Sequence, residues 1–242
     1  MFKRSGLRRI FIIVVLCFSF FTALHASALT LGISGNKFTV DGQAKFLTFV
    51  SYFDATRASD ATLNSDLAYL KSKGIDGIRI LPNWWGIYNS PYNATNPPPD
   101  TLIDVNGNIR STQLTKLKNV IDKANSKDLV VDISFAREVV PGLSVSNYKK
   151  GVVSVVTALS DKSNIFYDIQ NEYNCNGLSS GQIREIRDAI KAQVNSAIVS
   201  ASNACGATPE EAVSIATSAG LDLINYHDDR TPDWYSQTET RI

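Results

Sequence analysis

The sequence predicts a parallel α/β architecture of the (β/α)8 TIM barrel type, incomplete at about six strand–helix units and preceded by a β-hairpin. Three observations carry this. Six short runs rich in β-branched and aromatic residues alternate with six helical segments, in one composition throughout. No run is followed by the glycine-rich phosphate fingerprint of a nucleotide fold, which disfavours the doubly wound sheet, the other arrangement open to such alternation. Polar and ionisable groups stand at the C-terminal ends of the runs, where a parallel barrel collects its functional groups.

The elements follow in order. Residues 31–46 alternate around two turn signals, Ser34-Gly35-Asn36 and Asp41-Gly42-Gln43, which reads as the hairpin. The first barrel strand is Phe46–Val50. Thr62–Lys73 is an amphipathic helix with Leu63, Leu67 and Leu70 on one face and Gly74 as its stop. Gly77–Leu81 is the second strand, closed by Pro82. A long loop, Asn83–Arg110, follows with Trp84, Trp85, Tyr88, Tyr92 and three consecutive prolines, Pro97–Pro99. Ser111 or Thr112 starts a helix through Leu114, Leu117, Val120 and Ile121. Leu129–Phe135 is the third strand and Val145–Leu159 the helix after it. The fourth strand is the run from Asn164 that ends in Asn171-Glu172, with a helix from about Gly181 to Val194 behind it. Ala197–Ala201 is a fifth strand. Thr208-Pro209-Glu210-Glu211 starts the next helix with an N-cap Thr, a Pro at the first position and a Glu three residues after the cap. That helix stops at Gly220. Leu221–Tyr226 is the sixth strand, and Thr231-Pro232-Asp233 opens a final helix.

Residues 1–28 read as a signal peptide. Lys3, Arg4, Arg8 and Arg9 precede the apolar run 10–24, and Ala26-Ser27-Ala28 is an A-x-A cleavage pattern. The alternative is an uncleaved anchor, although the run is short for a membrane span. Cys17 lies within the run as hydrophobic filler. Cleavage leaves a domain over 29–242, 214 residues long, whose formal charge falls from +1 to −3. No basic stripe with interleaved aromatics marks a nucleic-acid surface, and no membrane contact is expected after cleavage. The expected location is therefore secreted or periplasmic. Cys175 and Cys205 each lie a few residues beyond the ends of neighbouring strands, so they are expected to be bonded or within bonding reach in an oxidising compartment, two unpaired thiols on splayed loops being the alternative.

The run Asn164 to Asn174 carries the chemistry. An apolar, aromatic strand ends abruptly in Asn171-Glu172, delivering a carboxyl group to a loop edge among aromatics, where it can act as a general acid. Gly77-Ile78-Arg79-Ile80 places an arginine on the second strand, and Asn225-Tyr226-His227 ends the sixth. These three motifs, in this order at these strand ends, resemble the cellulase-like glycoside hydrolases of family 5 type in the large (β/α)8 clan. The resemblance runs from the hairpin through the sixth strand. It implies Glu172 as acid/base, Asn171 as partner of the sugar 2-hydroxyl, Arg79 as a buried support for the catalytic carboxylates, and Tyr226 or His227 as pocket lining. The substrate it implies is a β-linked poly- or oligosaccharide, and the only partner expected is that carbohydrate. No cofactor and no metal are expected. Trp84 and Trp85 suit stacking on pyranose rings as well as they suit loop packing.

The chain departs from the family pattern twice. The third strand ends Phe135-Ala136-Arg137-Glu138, where many relatives place a His. The family's nucleophile, a Glu at the end of a seventh strand, has no counterpart. Only 16 residues follow Tyr226, and their acidic candidates Asp233 and Glu239 fall in the presumed sixth helix, outside the barrel. Glu138 is the remaining candidate for a second carboxylate, with Arg137 beside it as a competing ion-pair partner. The expectation is a C-terminally truncated glycoside hydrolase, inactive as written because half of its retaining carboxylate pair is missing. A non-catalytic carbohydrate-binding protein is the alternative. A metal-using barrel enzyme built on His227, Asp228 and Asp229 carries little weight, since adjacent residues at one strand end rarely converge on one ion. The leader makes the first prediction: mass spectrometry of exported protein should find an N-terminus at Leu29, and a mature chain beginning at Met1 would contradict it.

Overall fold

The computed structural model describes residues 28–83 and 101–227. The signal-peptide expectation, Trp84, Trp85, Asp228, Asp229 and the final helix lie outside the described residues. Among those described, no helix is long and apolar enough to cross a membrane.

The chain opens with a small antiparallel sheet, β1 (Leu31–Ser34), β2 (Lys37–Val40) and β3 (Gln43–Ala44). The expected hairpin thus extends to a three-stranded meander, because Asp41-Gly42 both take φ > 0 (52° and 79°) and turn the chain a second time. Parallel strands and helices then alternate: β4 (Phe49–Ser51), α1 (Asp60–Ser72), β5 (Gly77–Ile80), α2 (Ser111–Asn125), β6 (Val130–Ser134), α3 (Val145–Ala158), β7 (Ile165–Asp168) and α4 (Ser180–Gln193). The fifth strand is split. β8 (Val199–Ser200) pairs with β7, and beyond Ala201 β9 (Ser202–Asn203) pairs with β10 (Asn225–Tyr226), which follows α5 (Pro209–Ala219). The wall order is therefore β4-β5-β6-β7-β8, continued by β9-β10, with every pairing parallel.

The helix ends form where the sequence signals stand. Ser59 and Ser144 accept from the amides of Thr62 and Asn147. Ser179 with Gln182, and Thr208 with Glu211, form complete capping boxes, and Gly220 closes α5 at φ 67°, a left-handed conformation suited to glycine. Helix α2 begins at Ser111 as expected, but its N-cap is Arg110, which makes no side-chain capping bond.

The pleat divides the core in two. On the helix-covered face Ile78, Ile80, Val131, Ile133, Ile165, Tyr167 and Val199 pack against Leu63, Leu67, Leu117, Ile121, Val152, Val155, Ile183 and Ile186. The alternate positions face the other way, as period-2 geometry requires. There Val130 and Phe166 join Leu29 and Leu31, with Phe38 and Phe49 against Phe166 at ring separations of 5.6 and 5.8 Å. A side chain at Gly77 would run into the Phe49 ring, so the glycine gives that ring its space. The meander and the residues before it are tied to this end of the barrel: Leu31 N donates to Ser163 O (2.8 Å), just before β7, and Leu29 N to Asn125 Oδ1 (3.0 Å), at the end of α2. Apolar groups thus fill this face near the meander, leaving the C-terminal strand ends to polar residues.

The described part of the expected loop, residues 101–110, is turns and one isolated bridge, but it contributes to the core. Leu102 and Ile103 are fully buried, Ile103 bridges to Ile109, and Asn83 Oδ1 accepts from Ile103 N at 3.0 Å. Gly151 on α3 leaves the hollow that Ile103 fills. The turn-rich composition around these two apolar residues concealed a piece of core.

Candidate active site

Arg79, third residue of β5, is the centre of a buried polar network at the C-terminal ends of the strands. Its Nη2 donates to Asn171 Oδ1 at 2.7 Å and to Asp168 Oδ2 at 3.2 Å. Its Nε donates to Ser134 Oγ at 2.7 Å and lies 3.5 Å from Asp132 Oδ2. The register explains the meeting. Arg79 pairs with Asp132, and Ser134 with Asp168, so all four share the face turned away from the helices. Asp168 takes the larger share of the donors, receiving Ser202 Oγ (2.7 Å), Ser202 N (2.9 Å) and Ser134 Oγ (3.3 Å) besides the guanidinium. Asp132 is the carboxyl that suffers: burial pushes it up from 3.8 to about 7, the Arg79 charge pulls it back, and the neighbouring Asp168 adds to the rise.

Asn171 and Glu172 follow directly from β7. The Asn171 amide donates to Phe135 O at 2.7 Å, and its carbonyl accepts from Gln170 Nε2 and Asn176 Nδ2, both at 2.9 Å. With Oδ1 committed to Arg79, the side chain of Asn171 has a fixed orientation. Glu172 has φ 49°, a left-handed backbone that a non-glycine residue adopts only when its surroundings enforce it. The enforcement comes from β9: Glu172 N donates to Ser202 Oγ (2.9 Å) and Tyr173 N to Ser202 O (2.9 Å). Ser202 thus binds Asp168 and Glu172 together.

From the neighbouring strand His227 Nδ1 lies 3.1 Å from Glu172 Oε1, the two side chains being 20% and 30% exposed. The His227 amide, bonded to Asn203 O at 2.9 Å, fixes that approach. Tyr226 sits beside it in β10, half-buried. On the other flank Glu138 is half-buried and accepts from Gln170 Nε2 at 2.8 Å. Burial pushes the Glu138 carboxyl up, the Gln170 bond and the Arg137 charge oppose this, and the charge of Glu172 adds to the rise. The Arg137 guanidinium reaches the carbonyls of Leu143 (3.2 Å) and Asn176 (3.4 Å), bracing the loop below Asn171.

Cys175 and Cys205 form a disulfide with Cα atoms 6.1 Å apart. Glu172 with these two cysteines is the one cluster of potential metal ligands found among the described residues, and the disulfide occupies both sulfurs.

Of the sequence-derived residues, the structure brings together Arg79, Asn171, Glu172 and His227, with Glu138 one strand away and Tyr226 alongside. The sequence reading passed over Asp132, Asp168, Ser134 and Ser202. Their signal was present: an Asp inside Val130-Val131-Asp132-Ile133 and another closing Ile165-Phe166-Tyr167-Asp168 are charges in strands apolar on both sides. Charged groups in such strands are rare unless paired.

The raised Asp132 sets a sign for pH dependence. A carboxyl that holds its proton more tightly folded than unfolded favours the fold below its unfolded value and loses that contribution as pH rises through about 7. Urea titrations from pH 4 to 8 should show Asp132→Asn removing a fall in stability with rising pH, on the order of 2–4 kcal/mol across the window. An unchanged pH slope in the variant would show that Asp132 does not titrate in this range.

A family model, Cellulase (glycosyl hydrolase family 5), matches residues 34–209. No curated protein matches the chain. Among solved structures the chain is similar to the endo-1,4-β-mannanase from Eisenia fetida, at TM-score 0.54 and 14% identity over 83% of this chain and 72% of that one. It is similar to the β-mannanase from the blue mussel Mytilus edulis (TM-score 0.52, 15% identity, 84% and 74% covered). It is also similar to the β-1,4-D-mannanase from Cryptopygus antarcticus (TM-score 0.53, 16% identity, 72% and 61% covered). The chain spans less than half the length of other structures it matches, 44%, 45% and 41% of them. The structural likeness establishes the barrel architecture, present here in part. With the family model covering most of its length, the chain belongs to the cellulase family, glycosyl hydrolase family 5, of the (β/α)8 clan A.

Proposed function

We propose that the protein is an exported glycoside hydrolase that cleaves O-glycosidic bonds of a β-linked polysaccharide or oligosaccharide with retention of configuration. The observation that carries this is the Asn171-Glu172 pair held at the barrel's C-terminal end, Asn171 by Arg79 and Glu172 by Ser202 and His227. Family membership supports glycosidase chemistry, and the basic, apolar, A-x-A leader supports export.

In this reading Glu172 protonates the leaving oxygen and later removes a proton from the incoming water. His227, 3.1 Å from the carboxylate, orients it. Asn171, whose Oδ1 is taken by Arg79, turns its Nδ2 to the sugar 2-hydroxyl. Trp84, Trp85 and Tyr226 supply aromatic surface for pyranose rings. A retaining mechanism needs an attacking carboxylate ~5–5.5 Å from Glu172, which the family resemblance assigns to a seventh strand. Glu138, one strand away and electrostatically in reach of Glu172, is the described residue next in line. β-Mannan is the first substrate to assay, because three structures sharing this architecture are mannanases.

The test compares the 242-residue chain with the same chain extended by two family βα units that end a seventh strand in Glu. Without a carboxylate opposite Glu172, hydrolysis of β-mannan or aryl β-glycosides should be slight. The extended chain should turn over, and Glu172→Gln should cut its kcat by ~10²–10⁴-fold. Turnover that survives Glu172→Gln would overturn the assignment. Sugar binding without turnover in the extended chain would favour a carbohydrate-binding protein instead.

A further inference from the structure

We propose that the Cys175–Cys205 disulfide is a positioning device for Glu172, holding its carboxylate against His227. The inference rests on the reading of Glu172 as the proton donor and adds to it the element that keeps the donor in place. The two sulfurs and a Glu172 carboxylate oxygen all lie within 4.8 Å of one another, so the bond forms part of the wall beside the carboxylate. It ties the loop after β7 to the loop after β9, across a sequence separation of 30.

Two further features make this tie local to Glu172 rather than general to the fold. Both tied loops carry non-glycine residues in left-handed backbone, Glu172 at φ 49° and Cys205 at φ 57°. Strained backbone of this kind relaxes unless several contacts over-determine it. The loops are also laced by the Asn174 side chain, whose Oδ1 accepts from Ala204 N at 3.0 Å and whose Nδ2 donates to Ala204 O. The lacing lies directly between the disulfide and the segment Ser202–Asn203, which binds the amides of Glu172, Tyr173 and His227. Without the bond, the Glu172 turn depends on Ser202 and on the His227 contact, and its loop has fewer ties than the strands behind it, as in the less stable parts of a fold. Cys205 is exposed, so a reductant reaches the bond. A water-soluble phosphine converts it to two thiols, water supplying the two protons and the oxygen of the phosphine oxide.

Amide hydrogen exchange and the His227 ring resonance read the outcome without needing activity. The chain has two histidines, and the other, His25, belongs to the leader, so exported protein reports His227 alone. After reduction, exchange at Glu172 and Tyr173 should quicken by about 10-fold or more while Val131 and Ile133 in β6 keep their protection. The His227 resonance should shift. A Cys175→Ser/Cys205→Ser variant should reproduce both changes with no phosphine present. In the extended, active chain kcat should fall by roughly 10–100-fold with KM unchanged, since a misplaced acid affects the chemical step and not sugar binding. Unchanged exchange and an unchanged His227 resonance would overturn the proposal. So would equal loss of protection at Val131 and Ile133, which would make the bond a brace for the whole fold. Local loosening in an extended chain that never hydrolyses a glycoside would support the positioning role and sink the proton-donor reading.

Discussion

A guanidinium taken out of water between two carboxyl groups is the constraint on which the C-terminal end of this barrel depends. Arg79 cannot shed its charge, and removing a cation from water costs several kcal/mol unless partners replace the lost hydration. Asp132, Asp168, Ser134 and Asn171 replace it, each from a different place on the strand ends. Each partner is therefore fixed relative to Arg79 more tightly than backbone pairing alone would fix it. An apolar cluster of the same volume would serve stability as well. What the ionic network adds is direction: it turns Asn171 one way and, through Asp168 and Ser202, holds the Glu172 turn.

The hydrophobic division of the sheet makes that network possible. Both faces of a parallel barrel strand are buried, so polar groups can stand only where the interior opens. The meander and the Phe38, Phe49 and Phe166 rings fill the interior near one end. Arg79 and Asp132 stand one pleat period beyond Gly77 and Val130, with Asp132 paired to Phe166 at the edge of that aromatic cluster. Gly77 links the two, since any side chain there would displace Phe49. Stability is thus concentrated at the meander end and under the helices, and the functional groups stand on the opposite rim.

Much of this was legible in the sequence, and the reasons are specific. Six strands and five helices fall in the segments that the apolar runs and caps mark, although the first strand begins at Phe49 instead of Phe46 and the sixth is only Asn225–Tyr226; Ser179, Thr208-Pro209 and Gly220 are strong local signals that tertiary packing reinforces. Arg79, Asn171 and Glu172 were legible from strand ends and a resemblance. Residues 101–110 were not, since two buried aliphatics amid turn formers leave no periodicity. Nor was Ser202, because a serine inside Ala201-Ser202-Asn203-Ala204 gains its meaning only when β9 brings it to Asp168. The split of the fifth strand at Ala201 was hidden for the same reason: it follows from which neighbour each half pairs with, not from any residue in it.

Three ties converge on Glu172: the Arg79 network from within the sheet, the His227 strand from the side, and the Cys175–Cys205 loop from the rim. The first is the deepest, and the other two presuppose it. A double-mutant cycle on Arg79→Met and Asp168→Asn, read by urea unfolding, tests that dependence most directly. Arg79→Met alone should cost about 3–5 kcal/mol by stranding a buried carboxylate. The two changes together should cost less than their sum, with a coupling energy of about 1–3 kcal/mol. Additivity to within about 0.5 kcal/mol would contradict the account, because it would mean that Arg79 and Asp168 are held in place independently of one another.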